Sequence, residues 1–365
     1  MDKSEVKDKV CNFDNLYRAM RHCKHNVMWK DSVAGYVKNG LMNVHKLKRS
    51  VEDGTYSIDK YTQFKVYEPK ERDIVSTRIK DRVFQRSFCD QYFYEKMTNS
   101  FIHDNVACQL EKGNELGRKR LICHMQRQYR ESGRSVNGWV LKADLTNFFG
   151  STPHESALNA VTKLLDDEWA VDEAWRVIDS FNQGPDPNVG MGLGSEMTQI
   201  TELAVLNDLD HYIKEQLHIR HYVRYMDDLI LIHPDKAYLQ ECLEKIRAWV
   251  SARGLTLSKK KTQLFHIKQG IRFLGFRYRL TDTGKVVMTV LPEKVSHERR
   301  KLRKLVERAK AGLMTRQDVD SCYGSWKAHV GNESKHKRAH PGRRAHRNNH
   351  NLILIMDKYY KNLWR

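Results

Sequence analysis

One observation predicts an α+β fold, and two more predict that it is compact. Helical and strand-like segments follow one another without the regular βαβα alternation of a doubly wound sheet. Hydrophobic residues make up 40% of the chain and charged residues 30%, a balance that buries a core and suits neither a disordered nor a membrane protein. Only 7 prolines occur in 365 residues, so the connections read as short. That length sets a prior of two or three domains.

Residues 1 to about 50 read as helices, because Phe13, Leu16 and Met20 recur at helical spacing in an otherwise polar stretch. Residues 61 to 80 read as two short strands around a turn at Pro69, followed by a helix through DRVFQRSFCDQYFYEKM. In WVLKADLTNFFGS, Val140 to Asp144 form a buried strand that runs out into a turn. From Ser195 the period changes. Met197, Ile200, Leu203, Ala204, Leu206 and Leu209 recur every three to four residues, which predicts an amphipathic helix with Ser195 as its N-cap. HYVRYMDDLILIHPD is β-rich on both sides of a pair of acids. A helix over about 236–253 ends at Gly254, LTLSKKKTQLFHI and IRFLGFRYRL read as strands, and the tail is helical.

Charge narrows the function classes. Lys and Arg number 64 against 45 Asp and Glu, for a net charge of +19 and a pI near 9.5. The segment from Lys294 to His350 holds 16 basic and 5 acidic residues. A basic excess of this size favours polyanion partners, nucleic acid first. Its clearest helix, HERRKLRKLVERAKAG, has only the narrow stripe Leu302, Leu305, Val306 and Ala309, which suits protein packing rather than a membrane surface. No run approaches 18 apolar residues, and MDKSEVKDKV lacks the apolar core of a secretory signal. Seven scattered cysteines form no CxxC, which argues for a reducing compartment and against a disulfide framework or zinc knuckle. A cytoplasmic protein without membrane partners is expected.

The most informative letters are Tyr225-Met226-Asp227-Asp228. Their flanks have hairpin composition, which places the two acids at its tip. An isolated Asp-Asp is a common turn dipeptide, but this pair lies between strands of Val, Tyr, Leu and Ile. Adjacent carboxylates repel, and a cation relieves them, so hard oxygen ligands for Mg2+ are the chemical reading. Asp144 ends a second buried strand. Two strands that each deliver an acid to one sheet edge can hold two metal ions roughly 3.5–4 Å apart, the arrangement of in-line nucleotidyl transfer.

The ordered set of segments resembles the reverse transcriptases of bacterial retroelements, including diversity-generating, group II-like and defence-associated enzymes. YMDD preceded by D-x-x-x-F-F resembles the palm. EPKERDIVSTRIKDRVFQRSF resembles the fingers motifs, and NVACQLEKGNELGRKRL the small-residue and glycine motif that follows. GLGSEMTQITELAVLNDLDHYIKE, LTLSKKKTQL and FLGF resemble the motif before the catalytic hairpin, the one after it and the primer-grip hairpin. The resemblance covers roughly residues 60 to 280. It implies a right-hand polymerase: an N-terminal helical segment over 1–60, fingers over 61–138, a palm over 139–280 with an antiparallel sheet, and a basic helical thumb with a C-terminal RNA-binding region over 281–365.

The resemblance also implies roles. Asp144, Asp227 and Asp228 would ligate two Mg2+ ions, or Mn2+ in their place, with the Leu145 carbonyl as an extra ligand. Phe149 would be the steric gate that selects dNTPs; its other reading is a core aromatic, the reading given to Phe148. Lys70 and Arg72, with Arg78 a weaker candidate, would reach the triphosphate, or be exposed charges on a strand pair. Gln199, Gly194 and Ser195 would line the nascent base-pair pocket beside Tyr225. Lys261 would protonate the departing pyrophosphate, or sit in a solvated SKKK turn. The helix motif reads Thr198-Gln199 where the family commonly has Ser-Gln. The retron Asn-x-x-His and Val-Thr-Gly elements are missing, and only about 90 residues follow Gly275, room for a thumb but not for a nuclease or RNase H.

The expected partners are an RNA template, a structured non-coding RNA, dNTPs, the cDNA product and an accessory protein. His336 to His350, HKRAHPGRRAHRNNH, matches no familiar zinc or nuclease spacing and reads as a solvated RNA-binding surface; Tyr323, Trp326, Tyr359 and Tyr360 read as thumb core before base-stacking platforms. Two other readings stand beside the polymerase: a template-independent or protein-primed nucleotidyl transferase, and a non-catalytic RNA-binding scaffold with a palm fold.

Overall fold

The β-rich runs become strands in the computed structural model, which describes residues 5–67, 71–181, 187–192, 194–331 and 349–365. Among the described residues nine strands occur: β1 (Thr62–Val66), β2 (Arg72–Ser76), β3 (Trp139–Asp144), β4 (His221–Tyr225), β5 (Asp228–His233), β6 (Gln263–His266), β7 (Ile271–Phe273), β8 (Phe276–Leu280) and β9 (Val286–Val290). They form the sheets β1–β2, β4–β5–β3–β6 and β7–β8–β9. The chain divides into two units, Met1–Gly117 with Leu141–Leu264 and Arg118–Val140 with Phe265–Arg365.

In the first unit the helices begin as the spacing predicts. The Asn12 side chain accepts the Asp14 amide and caps Phe13–Cys23, whose Leu16 and Met20 are buried. β1 and β2 pair antiparallel from Thr62↔Ser76 to Val66↔Arg72; Pro69, expected in their turn, lies outside the described residues. The helix Ile79–Phe88 continues through a wide π turn, Cys89–Phe93, into Tyr94–Thr98. Phe84, Phe88 and Phe93 on this stretch are all fully buried, which anchors it into the core.

The four-stranded sheet carries the two acid-bearing runs. Val140, Leu141 and Ala143 on β3 and Leu229 to Leu231 on β5 are fully buried, so successive residues on both faces are covered. Such continuous apolar runs are what a strand buried on both faces requires. The outer edge of β4 is not left open: the Arg224 amide donates to the Asp104 carbonyl at 3.0 Å and the Val106 amide to the Arg224 carbonyl at 3.0 Å. The helix Lys236–Ser251 is capped by Asp235, which accepts the Ala237 and Tyr238 amides, and it closes at Gly254 with a φ of 72°.

Two expectations are corrected. LTLSKKKTQLFHI is strand only at β6. Before that, Leu257 forms an isolated bridge with Leu145, and the Thr262 amide returns to the Ser258 carbonyl at 2.9 Å, closing a turn that exposes the three lysines. Exposure of Lys259 and Lys260 and the reach of Lys261 to Asp144 win over strand propensity there. Ser195 is the N-cap residue of the helix Glu196–Val205 as expected, and what differs is that its hydroxyl makes no capping bond. It is buried and donates to Gln85 Oε1 at 2.8 Å, a long-range partner invisible to local pattern.

In the second unit β8 alternates, with Phe276, Tyr278 and Leu280 buried and Arg277 and Arg279 exposed. β9, absent from the sequence reading, completes that sheet after a turn at Gly284. A Cβ there would lie 2.6 Å from the Tyr129 ring, and φ is 76°. The helices Pro292–Lys310, Arg316–Gly331 and His350–Leu363 pack around Leu302, Val306, Val319, Tyr323, Met356 and Tyr360. The rings of Tyr323 and Tyr360 stand 4.6 Å apart inside this core, so both are packing residues. The residues from His336 through 348 lie outside the described ones. No helix among the described residues is long and apolar enough to cross a membrane.

Candidate active site

β4 and β5 form a tight antiparallel hairpin in which Tyr225 pairs with Asp228, leaving Met226–Asp227 as a two-residue turn. Asp227 therefore sits in the turn, and Asp228 is the first residue of the returning strand rather than part of the tip. Met226 takes the left-handed conformation at φ 53°, which such a turn demands and which a non-glycine residue adopts at some cost. β3 is the neighbour of β5 and ends in Asp144. The three acids predicted from separate stretches thus come together.

Their electrostatics are those of a crowded, poorly hydrated cluster. Burial raises the pKa of Asp228 to about 6, and the charges of Asp144 and Asp227 push the same way against Lys142. Asp227 is raised by burial and by Asp144, while Lys261 and Arg72 oppose the rise. One oxygen of Asp228, Oδ1, is buried without a hydrogen-bond partner. The other accepts from Lys142 Nζ at 3.1 Å. Asp144 Oδ1 accepts from Lys261 Nζ at 2.6 Å. Lys142 lies two residues before Asp144 on β3, on the same face of the strand.

Among the described residues no three His, Cys, Asp or Glu side chains are gathered into a ready-made metal cage. The donor set nonetheless fits a hard divalent cation. It offers carboxylate oxygens, one of them buried and unsatisfied, and in this structure Lys142 and Lys261 supply the opposing positive charge. The bridge between Leu145 and Leu257 uses the Thr146 amide and the Asp144 carbonyl, which leaves the Leu145 carbonyl out of that ladder.

The other predicted residues fall at several distances from this centre. Arg72 is exposed at the start of β2 and acts electrostatically on Asp227. Lys70 lies outside the described residues. Arg78 is exposed, and its Nε donates to the Lys60 carbonyl at 3.1 Å. Phe148 is buried whereas Phe149 is half-buried, and their rings meet edge-on at 6.0 Å. The Phe149 carbonyl accepts the Met191 amide at 2.6 Å, so the loop before Gly194 braces the turn that presents this ring. Gly194 has φ 140°, and a Cβ there would lie 3.0 Å from the Val75 carbonyl. Only glycine lets this loop approach β2 so closely. Gln199 and Tyr225 are both half-buried.

The sequence reading missed Lys142, Arg224, Asp210 and Glu202. Arg224 is fully buried: its Nε and Nη2 donate to Asp210 at 2.8 and 2.6 Å, Nη1 to the Met226 carbonyl at 3.0 Å and Nη2 to the Leu203 carbonyl at 3.0 Å. Glu202 is fully buried, with burial holding its pKa well above the usual range, and it accepts from Thr152 Oγ1 at 2.9 Å. A basic residue inside an otherwise apolar strand was the available signal for Arg224.

Comparison with known proteins agrees with this geometry. The model of the family "Reverse transcriptase (RNA-dependent DNA polymerase)" matches residues 79–278, more than half of the chain. Protein YkfC of Escherichia coli (strain K12) is 23% identical over 190 residues, covering 41% of this chain and 49% of that protein. The chain thus spans about half the length of this curated relative. Apo telomerase from Candida tropicalis superposes with a TM-score of 0.49 at 10% identity, over 68% of this chain and 53% of that one. Telomerase from Candida albicans in complex with a fragment of telomeric RNA gives 0.49 at 12% identity, over 89% and 64%. Superpositions this loose add nothing to the assignment, which rests on the family match. An antiparallel hairpin carrying Asp227 and Asp228, a neighbouring strand that ends in Asp144 and a family match spanning all three lead to one conclusion: the chain belongs to the reverse transcriptase (RNA-dependent DNA polymerase) family and has its right-hand polymerase fold.

Proposed function

We propose that this chain is an RNA-directed DNA polymerase of a bacterial retroelement or phage-defence system, which copies a structured RNA into cDNA by two-metal nucleotidyl transfer. The observation that carries the reading is the gathering of Asp144, Asp227 and Asp228 from two neighbouring strands, with Asp228 Oδ1 buried and unsatisfied. Asp144, Asp227 and Asp228, with the Leu145 carbonyl, would hold Mg2+ or Mn2+. Bound there, the ions supply Lewis-acid charge to the attacking sugar hydroxyl and the leaving pyrophosphate.

The chain's own groups do the rest. Arg72 and Lys70 orient the triphosphate, with Arg78 as an outer contact. Phe149 packs under the deoxyribose and leaves no room for a 2′-hydroxyl. Gly194, Ser195 and Gln199 line the new base pair beside Tyr225. Lys261, drawn to Asp144 in this structure, donates a proton to the departing pyrophosphate. The second unit, with the basic helix Pro292–Lys310, binds RNA through phosphate and 2′-hydroxyl contacts, so binding weakens steeply with salt.

Primer extension on an RNA template with dNTPs and Mg2+, run beside the Asp227→Ala, Asp228→Ala double variant, tests the reading. DNA product from the wild type and none from the variant is the expected result. No product from the wild type, even with RNA that co-purifies from its own cells, contradicts it and favours the scaffold; extension that ignores template sequence favours the template-independent transferase.

A further inference from the structure

Arg224 ties the hairpin turn to two groups outside it. Its guanidinium is fully buried and grips Asp210 through Nε and Nη2, the Leu203 carbonyl through Nη2 and the Met226 carbonyl through Nη1. Its backbone is held as well, by the Asp104 carbonyl on one side and the Val106 amide on the other. Met226 is the left-handed residue of the turn, at φ 53°, and the next two residues are Asp227 and Asp228. Neither glycine nor asparagine is present to make that conformation easy, so the turn depends on what holds its carbonyl. Asp210 is oriented in turn by the Tyr222 hydroxyl at 2.7 Å.

We infer that Arg224 is a positioning residue: by holding the Met226 carbonyl it sets the Met226–Asp227 turn and so aims the Asp227 and Asp228 carboxylates for divalent-cation binding. The inference rests on the polymerase reading above. It follows from the fork geometry of arginine, whose five N–H groups can serve three acceptors in fixed directions, whereas a lysine ammonium at the same place neutralises Asp210 without reaching the turn.

Two variants test it. Arg224→Lys keeps the buried charge pair and loses the fork. Asp210→Leu with Arg224→Met removes both charges together, a replacement that commonly preserves or raises stability. Each is measured for thermal unfolding, for Mn2+ binding by electron paramagnetic resonance without primer or template, and for primer extension. In both variants Mn2+ affinity should fall about tenfold, the Mg2+ concentration for half-maximal activity should rise about tenfold and kcat should fall about 30- to 100-fold, while KM for dNTP stays within about threefold, because the aim of the carboxylates changes and the nucleotide pocket does not.

Mn2+ binding and kcat within twofold of wild type in a folded variant would overturn the inference. Failure of both variants to fold would overturn it too, because it would make Arg224 a residue of stability. A wild type that neither extends primers nor binds Mn2+ would instead fail the polymerase reading itself; wild-type activity with unchanged variants would fail only the role of Arg224.

Discussion

Asp210 is fully buried and Asp228 half-buried in the same unit, and their surroundings are opposite. Asp210 accepts from Arg224 at 2.6 and 2.8 Å and from the Tyr222 hydroxyl at 2.7 Å, so its buried charge is neutralised and hydrogen-bonded. Asp228 has one lysine partner at 3.1 Å, one buried oxygen with none, and two further carboxylates acting on it. Equal chemistry has been used for two ends. The first cluster ties its charges to the hairpin turn through Arg224, and the second leaves carboxylates crowded together, a strain that the proposed divalent cation would relieve. Buried acids therefore have to be judged by their partners and not by burial alone.

Breaking the satisfied cluster should have the largest effect. Asp210→Ala leaves Arg224 as an uncompensated buried cation, and equilibrium urea unfolding should show a loss of about 3–5 kcal/mol. A loss under 1 kcal/mol would mean that the pair is not structural.

The unsatisfied cluster should respond in the other direction. Asp228→Asn removes a carboxylate whose pKa the fold raises to about 6, and in metal-free buffer near neutral pH it should stabilise the protein by about 1–3 kcal/mol. The sign follows from proton binding. Between the unfolded value of 3.8 and about 6 the folded chain holds this proton more tightly than the unfolded chain does. Stability therefore falls as pH rises through that window and stays lower above it. The difference between wild type and Asp228→Asn should be smallest below pH 4 and widest above pH 6. A difference that does not vary with pH would contradict the assignment.

A smaller effect tests the contrast between the buried Phe148 and its neighbour Phe149, the proposed steric gate. Phe148 is buried, and Phe149 is half-buried on the turn after Asp144. Phe149→Val should raise incorporation of ribonucleotides relative to deoxyribonucleotides by about tenfold or more in primer extension, with little change in melting temperature. An unchanged ratio would return Phe149 to the core.

Much of this was legible in the letters because it is local. An apolar run ending in Asp144 and β-rich flanks around Asp227–Asp228 announce two buried strands whose ends carry acids, and helical spacing placed Leu16, Met20, Leu302 and Val306 in the interior. What was hidden depends on partners far along the chain. Lys142 and Asp228 are separated by 86 residues, and Lys261 and Asp144 by 117. Ser195 has the local marks of an N-cap, yet a glutamine 110 residues away takes its hydroxyl. Arg224 in a strand could equally have been an exposed charge until the fold surrounded it with Asp210, Leu203 and Met226. The stretch from Leu255 to Lys261 looked like a strand by propensity, and the clustered lysines turned it instead.

The central claim is that the Asp144, Asp227 and Asp228 cluster is built unstable so that it can hold divalent cations, and thermal unfolding against Mg2+ concentration tests it most directly. The wild type should melt progressively higher as Mg2+ rises through its binding range, as a ligand of the folded state requires. The Asp227→Ala, Asp228→Ala variant should start higher in metal-free buffer and gain nothing from the ion. Equal Mg2+ responses in the two proteins, or a wild type indifferent to the ion, would contradict the account.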